Sequence, residues 1–312
     1  MSSIGVVVNP QAGRNRLRRN RAARLGHLVG PQGWVRETAS LEALADVAAE
    51  CRERDVDVIG VCGGDGTLAR TITALVREYG PDSALPPILP LRAGTMNTVA
   101  RAMGCSAWQP ERMLAEIVGE QRRGEPLPLT EHQLICVNGR HYGFMIGAGV
   151  PVEFLRVYYD QPQRGALGAV RTLIELSSSA LIGGRTIRRV FRPLPAHLLA
   201  DGRPGPFDAY TVVYASTIED IGLGFRPTYR AREQAGRFHI FAASIGALAF
   251  IGRLPAIRRA RPTRSRQVHD VLAADLRVEF RAPTFYMIDG DIMEPTTQLD
   301  VRLGPVVRVI RR

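Results

Sequence analysis

Lysine is absent, so the 41 strongly basic side chains of this 312-residue chain are all arginine. That excludes a P-loop lysine on the nucleotide phosphates, the strand lysine of protein kinases and a Schiff-base lysine. Any phosphate held here must be held by backbone N–H groups, hydroxyls, a metal or arginine. Cysteine is also scarce. Cys51, Cys62, Cys105 and Cys136 form no CxxC pair and have no histidine cluster beside them. A structural zinc site is therefore disfavoured, and a reducing compartment is expected. No apolar run is long enough to cross a bilayer, the longest weakly polar stretch being 242–252. The first residues lack the charge-then-apolar order of a secretory signal. The expectation is a cytoplasmic protein, at most peripheral at the inner membrane face.

What is present describes a folded protein. Hydrophobic residues make up 45% and charged residues 23%, enough for one large core or two ordinary ones. The net charge is +11, with arginines gathered at Arg14 to Arg24, Arg253 to Arg266 and Arg311–Arg312. Solvated helix faces or attraction to an anionic surface would each account for these clusters. Few aromatics stand among them and no nucleic-acid-binding motif appears. No specific nucleic-acid partner is expected, and an anionic membrane surface is preferred.

Along the chain, Ile4 to Val8, Val56 to Cys62 and Pro87 to Leu91 read as short buried strands. They alternate with helical spacing over Leu17 to Leu28, Leu41 to Arg54 and Leu68 to Tyr79. Alternation of this kind implies parallel pairing. After Pro126-Leu-Pro128 the character changes. Leu134 to Val137, Tyr142 to Ile146, Tyr210 to Ala215, Phe238 to Ala242, Leu276 to Phe280 and Val301 to Ile310 are strand-like, and Leu167 to Leu181 is the long helix of this half. Residues 193–206, rich in proline and glycine, read as a surface loop. The expected fold class is α/β plus β. A doubly wound α/β nucleotide-binding domain would span 1–128 and a mostly antiparallel β-sandwich 129–299, with the tail from about 300 returning to the first and a cleft between the two.

Three glycine-containing turns follow predicted strands: Asn9-Pro10-Gln11-Ala12-Gly13, Gly63-Gly64-Asp65-Gly66-Thr67, and Gly94-Thr95-Met96-Asn97 leading to Ala100-Arg101. In a parallel sheet such loops gather at the carboxyl edge, where ligands bind. A glycine turn opening a helix offers several N–H groups to a phosphate.

Together these residues resemble the diacylglycerol kinase catalytic domain shared by bacterial lipid kinases, sphingosine kinases and ceramide kinases. Tyr286-Met-Ile-Asp-Gly-Asp291 is similar to the family's Asp-Gly-Glu motif, with aspartate standing at 291 where the family usually has glutamate. The resemblance implies ATP and Mg²⁺ as cofactors and a lipid alcohol as acceptor. It implies that 9–13, 63–67 and Gly94 line the nucleotide site, that Thr38 lies near the nucleotide, that Thr95 reaches a phosphate and that Asn97 braces the loop. It further implies that Asp65 organises a magnesium–water network and that Asp289 is the general base beside Asp291.

Simpler roles stand beside these. Asn9-Pro10 also suits a strand-ending turn, Asp289-Gly290 a hairpin turn, and Asp65 a helix cap. Departures from the family pattern are Thr98, where aspartate is frequent, Glu131 as a substitute for an acid expected before residue 134, and Ala235-Gly236, where some relatives hold a structural magnesium. NAD kinase shares the 63–67 element, although no Gly-Ser-Thr-Ala-Tyr-like segment follows. A non-catalytic lipid- or nucleotide-binding regulator and a homodimer remain open.

Overall fold

The computed structural model describes every residue except 1, 2, 17, 19, 39, 162–164, 182 and 264. The chain divides into two compact units, one comprising Met1–Leu134, Arg140–Tyr142 and Gly304–Arg312, the other Ile135–Gly139 and Gly143–Leu303.

In the first unit the elements run β1 (Ile4–Val8), α1 (Arg21–Val29), β2 (Trp34–Glu37), α2 (Leu41–Glu53), β3 (Val58–Gly63), α3 (Asp65–Tyr79), β4 (Ile88–Arg92), α4 (Thr98–Ala102) and α5 (Pro110–Arg122). β5 (Leu129–Val137) and β6 (His141–Gly143) follow, with Ile135–Val137 and Gly143 counted in the second unit. The strands lie in the order β2-β1-β3-β4, all parallel. β1 and β3 are buried at every position, as strands covered on both faces must be. Ile4, Val6 and Val8 join Leu25 of α1 and Leu114 and Ile117 of α5 in one apolar cluster. α2 and α3 pack against each other, and α3 buries Leu68, Ile72, Leu75 and Val76.

Several boundaries differ from the sequence expectation. α1 starts at Arg21 because residues 12–16 form turns, with Asn15 and Arg16 both donating to the carbonyl of Ala12; Leu17 lies outside the described residues. α3 starts at Asp65, three residues before the apolar pattern begins, since its first turn is Asp-Gly-Thr. β2 and α5 were not expected. The former is four residues long, and the latter is opened by Pro110 in its first turn, a start signal.

In the second unit the elements are β7 (Met145–Gly149), α6 (Val150–Tyr159), α7 (Ala166–Leu181), α8 (Arg185–Val190), β8 (Leu194–Ala200), β9 (Arg203–Pro204), β10 (Ala209–Tyr210), β11 (Val212–Ser216) and β12 (Phe238–Ala243). They are completed by α9 (Ala247–Ile251), α10 (Leu254–Arg258), β13 (Val268–Ala273), β14 (Asp275–Ile288) and the part of β15 (Asp291–Ile310) up to Leu303, its remainder belonging to the first unit. Pairing is antiparallel from β13 through β12, β11 and β7 to β14. β14 then pairs with β8 along its first half and with β7 at its last residues, and its antiparallel pairing with β15 shifts register between Glu279 and Thr284. Irregularities of this kind bend a strand. The strands follow one continuous path of pairing and share a core that includes Ile146, Leu198, Tyr210, Phe238, Ile240 and Val278.

The loop reading of 193–206 is corrected. Leu194–Ala200 is a strand in register with Leu276–Phe280, and Ala196, Leu198 and Ala200 face the core in alternation. The proline and glycine content hid this period of two. The strand expected over Tyr142 to Ile146 is interrupted at Phe144, and α6 adds a helix beyond the expected one.

Candidate functional site

Each of the three glycine turns leaves the carboxyl end of a parallel strand of the first unit, and hydrogen bonds from the turns or the residues beside them link the three. After β1, the Asn9 amide donates to Cys62 O at 3.1 Å, and Asn9 Nδ2 donates to Thr67 Oγ1 at 2.9 Å. The same side chain accepts from Gln11 N at 2.9 Å, which shapes the turn through Pro10. After β3, the Gly63 carbonyl accepts from Ala93 N at 2.9 Å and Gly94 N at 2.8 Å. The Arg14 amide closes the circuit onto Ala93 O at 2.9 Å.

Two glycines make this interlock possible. A methyl group on Gly94 would lie 2.3 Å from Gly64 Cα and 3.1 Å from Gly64 N, so the two backbones touch where any side chain would separate them. Asn97 holds the third turn from below. It adopts a left-handed conformation at φ 50°, accepts from Gly94 N at 3.0 Å and donates to Gly94 O at 2.8 Å. Asparagine tolerates that region better than most residues. Thr95 is exposed, and its hydroxyl stands beside Gly13, 3.1 Å from where a Cβ would be. Pro10, Gln11 and Gly13 are exposed, Ala12 and Gly66 half-buried. Thr38 is buried just beyond β2, its amide donating to Val8 O at 2.9 Å. A cavity of about 260 Å³ lies beside the first turn, between Val8, Pro10, Asn15, Glu37 and the arginines 16, 18 and 21.

Asp65 has a definite task in this unit. Its carboxylate accepts from Thr98 N at 2.6 Å and Val99 N at 3.0 Å, tying the start of α3 to the start of α4. Burial pushes its pKa up to about 6, against the backbone N–H groups of 98–100 and the nearby Arg101, which favour the charged form. A carboxyl raised in this way binds its proton more tightly folded than unfolded. Its contribution to stability is complete below the unfolded value and is lost as pH rises through about 6. The stability advantage of the native protein over Asp65→Asn should therefore shrink between about pH 4 and the folded value. Thermal melts of both proteins across that window check this; an advantage that grows with pH would contradict it.

In the second unit Asp289 occupies the tip of the hairpin between β14 and β15, with Ile288 paired to Asp291. Asp289 and Gly290 both have positive φ, 48° and 90°, the requirement of a two-residue type I′ turn. The side chain does more than turn the chain. It is 3% exposed, and its carboxylate accepts from Phe144 N at 3.0 Å and Met145 N at 2.9 Å. Gly143 leaves the room for it, since a Cβ there would lie 2.7 Å from Asp289 Oδ2. This explains the break between β6 and β7: the Phe144 amide is turned to the carboxylate and its carbonyl accepts from Thr217 N. Asp291 begins β15 and is half-buried.

Residues 3–126 match the diacylglycerol kinase catalytic domain. No curated protein is significantly similar to this sequence. Three solved structures from Bacillus anthracis strain Sterne share the fold over the whole chain. A provisionally assigned diacylglycerol kinase is 20% identical with a TM-score of 0.73, covering 100% of this chain and 97% of its own. Another described as a diacylglycerol kinase is 18% identical at 0.64, and a further provisional assignment is 19% identical at 0.68, both with the same coverage.

Within the diacylglycerol kinase catalytic domain match, two bracing residues escaped the sequence reading. Asn15 is buried and donates to Asn9 O at 2.7 Å and Cys62 O at 3.0 Å, while Arg21 Nη1 donates to its Oδ1 at 2.7 Å. Arg21 is itself anchored on Glu111 of α5 at 3.1 Å. Only the polar spacing of Asn15 and Arg21 after the glycine turn hints at this, and that spacing also suits an exposed helix. Thr98 departs from the domain's frequent aspartate, yet the Asp65 bond uses its backbone N–H and is indifferent to the side chain. Glu131 and Ala235 are exposed, and Gly236 makes a turn at φ 74°.

Proposed function

We propose that this protein is an ATP-dependent lipid kinase, transferring the γ-phosphoryl group of ATP to the hydroxyl of a lipid alcohol such as diacylglycerol or a sphingoid lipid. The observation that carries the reading is the circuit of hydrogen bonds through residues 9–14, 63–67 and 93–97 inside the segment that matches the domain. The first turn of α3 offers N–H groups without intrahelical acceptors. Gly64 and Gly94 leave no side chain between their loops, and Thr95 adds a hydroxyl. That donor set suits an oligophosphate in a chain without lysine.

Among the described residues no three histidine, cysteine, aspartate or glutamate side chains group to form a metal cage. The oxygens of Asp65 already accept backbone N–H groups. Asp65 is therefore the residue that would hold a magnesium, through water, if the metal came with the triphosphate, and the chemistry it would supply is neutralisation of the phosphate charge. Asp289 then accepts the proton of the lipid hydroxyl, its orientation fixed by the Phe144 and Met145 amides, with Asp291 as its neighbour.

The test is transfer of label from γ-labelled ATP, with magnesium, to a lipid extract in one reaction and to NAD in another. The reading expects a labelled phospholipid and unlabelled NADP. Label in NADP would move the protein to the NAD kinases, and label in neither would favour a non-catalytic binder.

A further inference from the structure

We propose that the face built from α7, α8 and the α9–α10 segment is a docking surface for an anionic lipid leaflet. On α7, Leu167, Val170 and Ile174 are 81%, 42% and 59% exposed, and Leu248 on α9 is 59% exposed. Positions 167, 170 and 174 recur at helical spacing and form one stripe, and α7 contacts α9. The stripe is not a displaced core face. α7 already buries Leu176 and Ala180 against Ile187 and Val190 of α8. Its outward row is a second apolar surface, which in water has nothing to gain from being there.

Charge selects the occupant. No aspartate or glutamate occurs between 176 and 200 or between 234 and 269, whereas arginine stands at 185, 188, 189, 192, 253, 258, 259, 261 and 266. Of the acids nearby, Glu175 is paired with Arg171 at 2.9 Å, and Glu153 is held by Arg156 at 2.8 Å and Arg189 at 3.2 Å. Arg185, Arg188, Arg192, Arg258 and Arg259 are exposed. An apolar row flanked by arginine, with neighbouring acids already neutralised, is the composition that enters the boundary between lipid headgroups and acyl chains. A second copy of the chain would bring arginine against arginine. A nucleic acid would leave the apolar row without a partner, with few aromatics to stack on bases. Such docking is independent of phosphotransfer, because vesicles are bound or not whatever reaction the protein catalyses.

Co-sedimentation of the full-length protein with vesicles of phosphatidylcholine containing phosphatidylglycerol, and with phosphatidylcholine alone, tests it. Binding to the anionic vesicles is expected, weakened by added salt. Leu167→Ser/Ile174→Ser/Leu248→Ser should reduce that binding by at least about 10-fold. Arg185→Gln/Arg188→Gln/Arg258→Gln/Arg259→Gln should remove the preference for anionic lipid. Both variants change exposed side chains and should melt with the parent protein. The proposal is overturned if the parent protein stays in the supernatant, or if the serine variant binds as the parent does. It is equally overturned if sedimentation velocity shows a dimer that the serine variant dissolves while vesicles go unbound.

Discussion

Asp289→Asn is expected to abolish lipid phosphorylation, lowering turnover by at least about 100-fold, while MgATP binds as before. The asparagine carbonyl can accept only part of what the carboxylate accepts from the Phe144 and Met145 amides, and its NH₂ group would face a donor. A stability cost of about 1–3 kcal/mol follows from that mismatch in a buried place. Because the residue both forms the hairpin tip and is assigned the proton, loss of activity alone does not separate the roles. Nucleotide titration and near-ultraviolet circular dichroism at the assay temperature do. A folded variant that binds MgATP and transfers nothing supports the base; a folded variant with full turnover removes Asp289 from that role.

Gly94→Ala should damage the proposed nucleotide site. The new methyl would lie 2.3 Å from Gly64 Cα and 2.9 Å from Asn97 Oδ1, and neither is the free end of a flexible side chain. The backbone must move, which costs about 1–3 kcal/mol in a packed setting. Movement at Gly94 strains its bond to Gly63 O and its pair of bonds with Asn97 at once. We expect ATP affinity to fall roughly 10-fold or more, since turns so linked cannot shift singly. Gly246→Ala is the matched control, as nothing lies within 4 Å of its Cβ position. Isothermal titration with ATP and thermal melts of both variants decide it; unchanged affinity in Gly94→Ala would mean that the contact with Gly64 is not needed to hold nucleotide.

The glycine turns were legible because backbone geometry demands their residue types. Gly94 must lack a side chain, Gly64 stands close against it, and Asn97 adopts positive φ, so sequence and structure carry the same information there. The buried strands β1 and β3 were legible from their continuous apolar runs. Asn15 was not, because a buried hydrogen-bonding asparagine and an exposed one look alike until tertiary partners are known. The task of Asp65 was half legible: a cap was foreseeable, but its acceptance of the amides of a different helix, α4, depends on residues 33 and 34 positions away. β8 was hidden for the opposite reason. Pro195, Pro204 and Gly205 drew attention to turns and obscured the alternation of Ala196, Leu198 and Ala200. The residues that receive the Asp289 carboxylate offer only backbone N–H groups, which every non-proline residue possesses, so no side-chain pattern could announce them.

If the three turns of the first unit act together as one phosphate cradle, amide hydrogen exchange with and without a non-hydrolysable ATP analogue and magnesium will register all of them. Exchange should slow together in peptides covering 9–13, 63–67 and 93–97. Slowing in only one of these segments, or confined to the second unit, would contradict it.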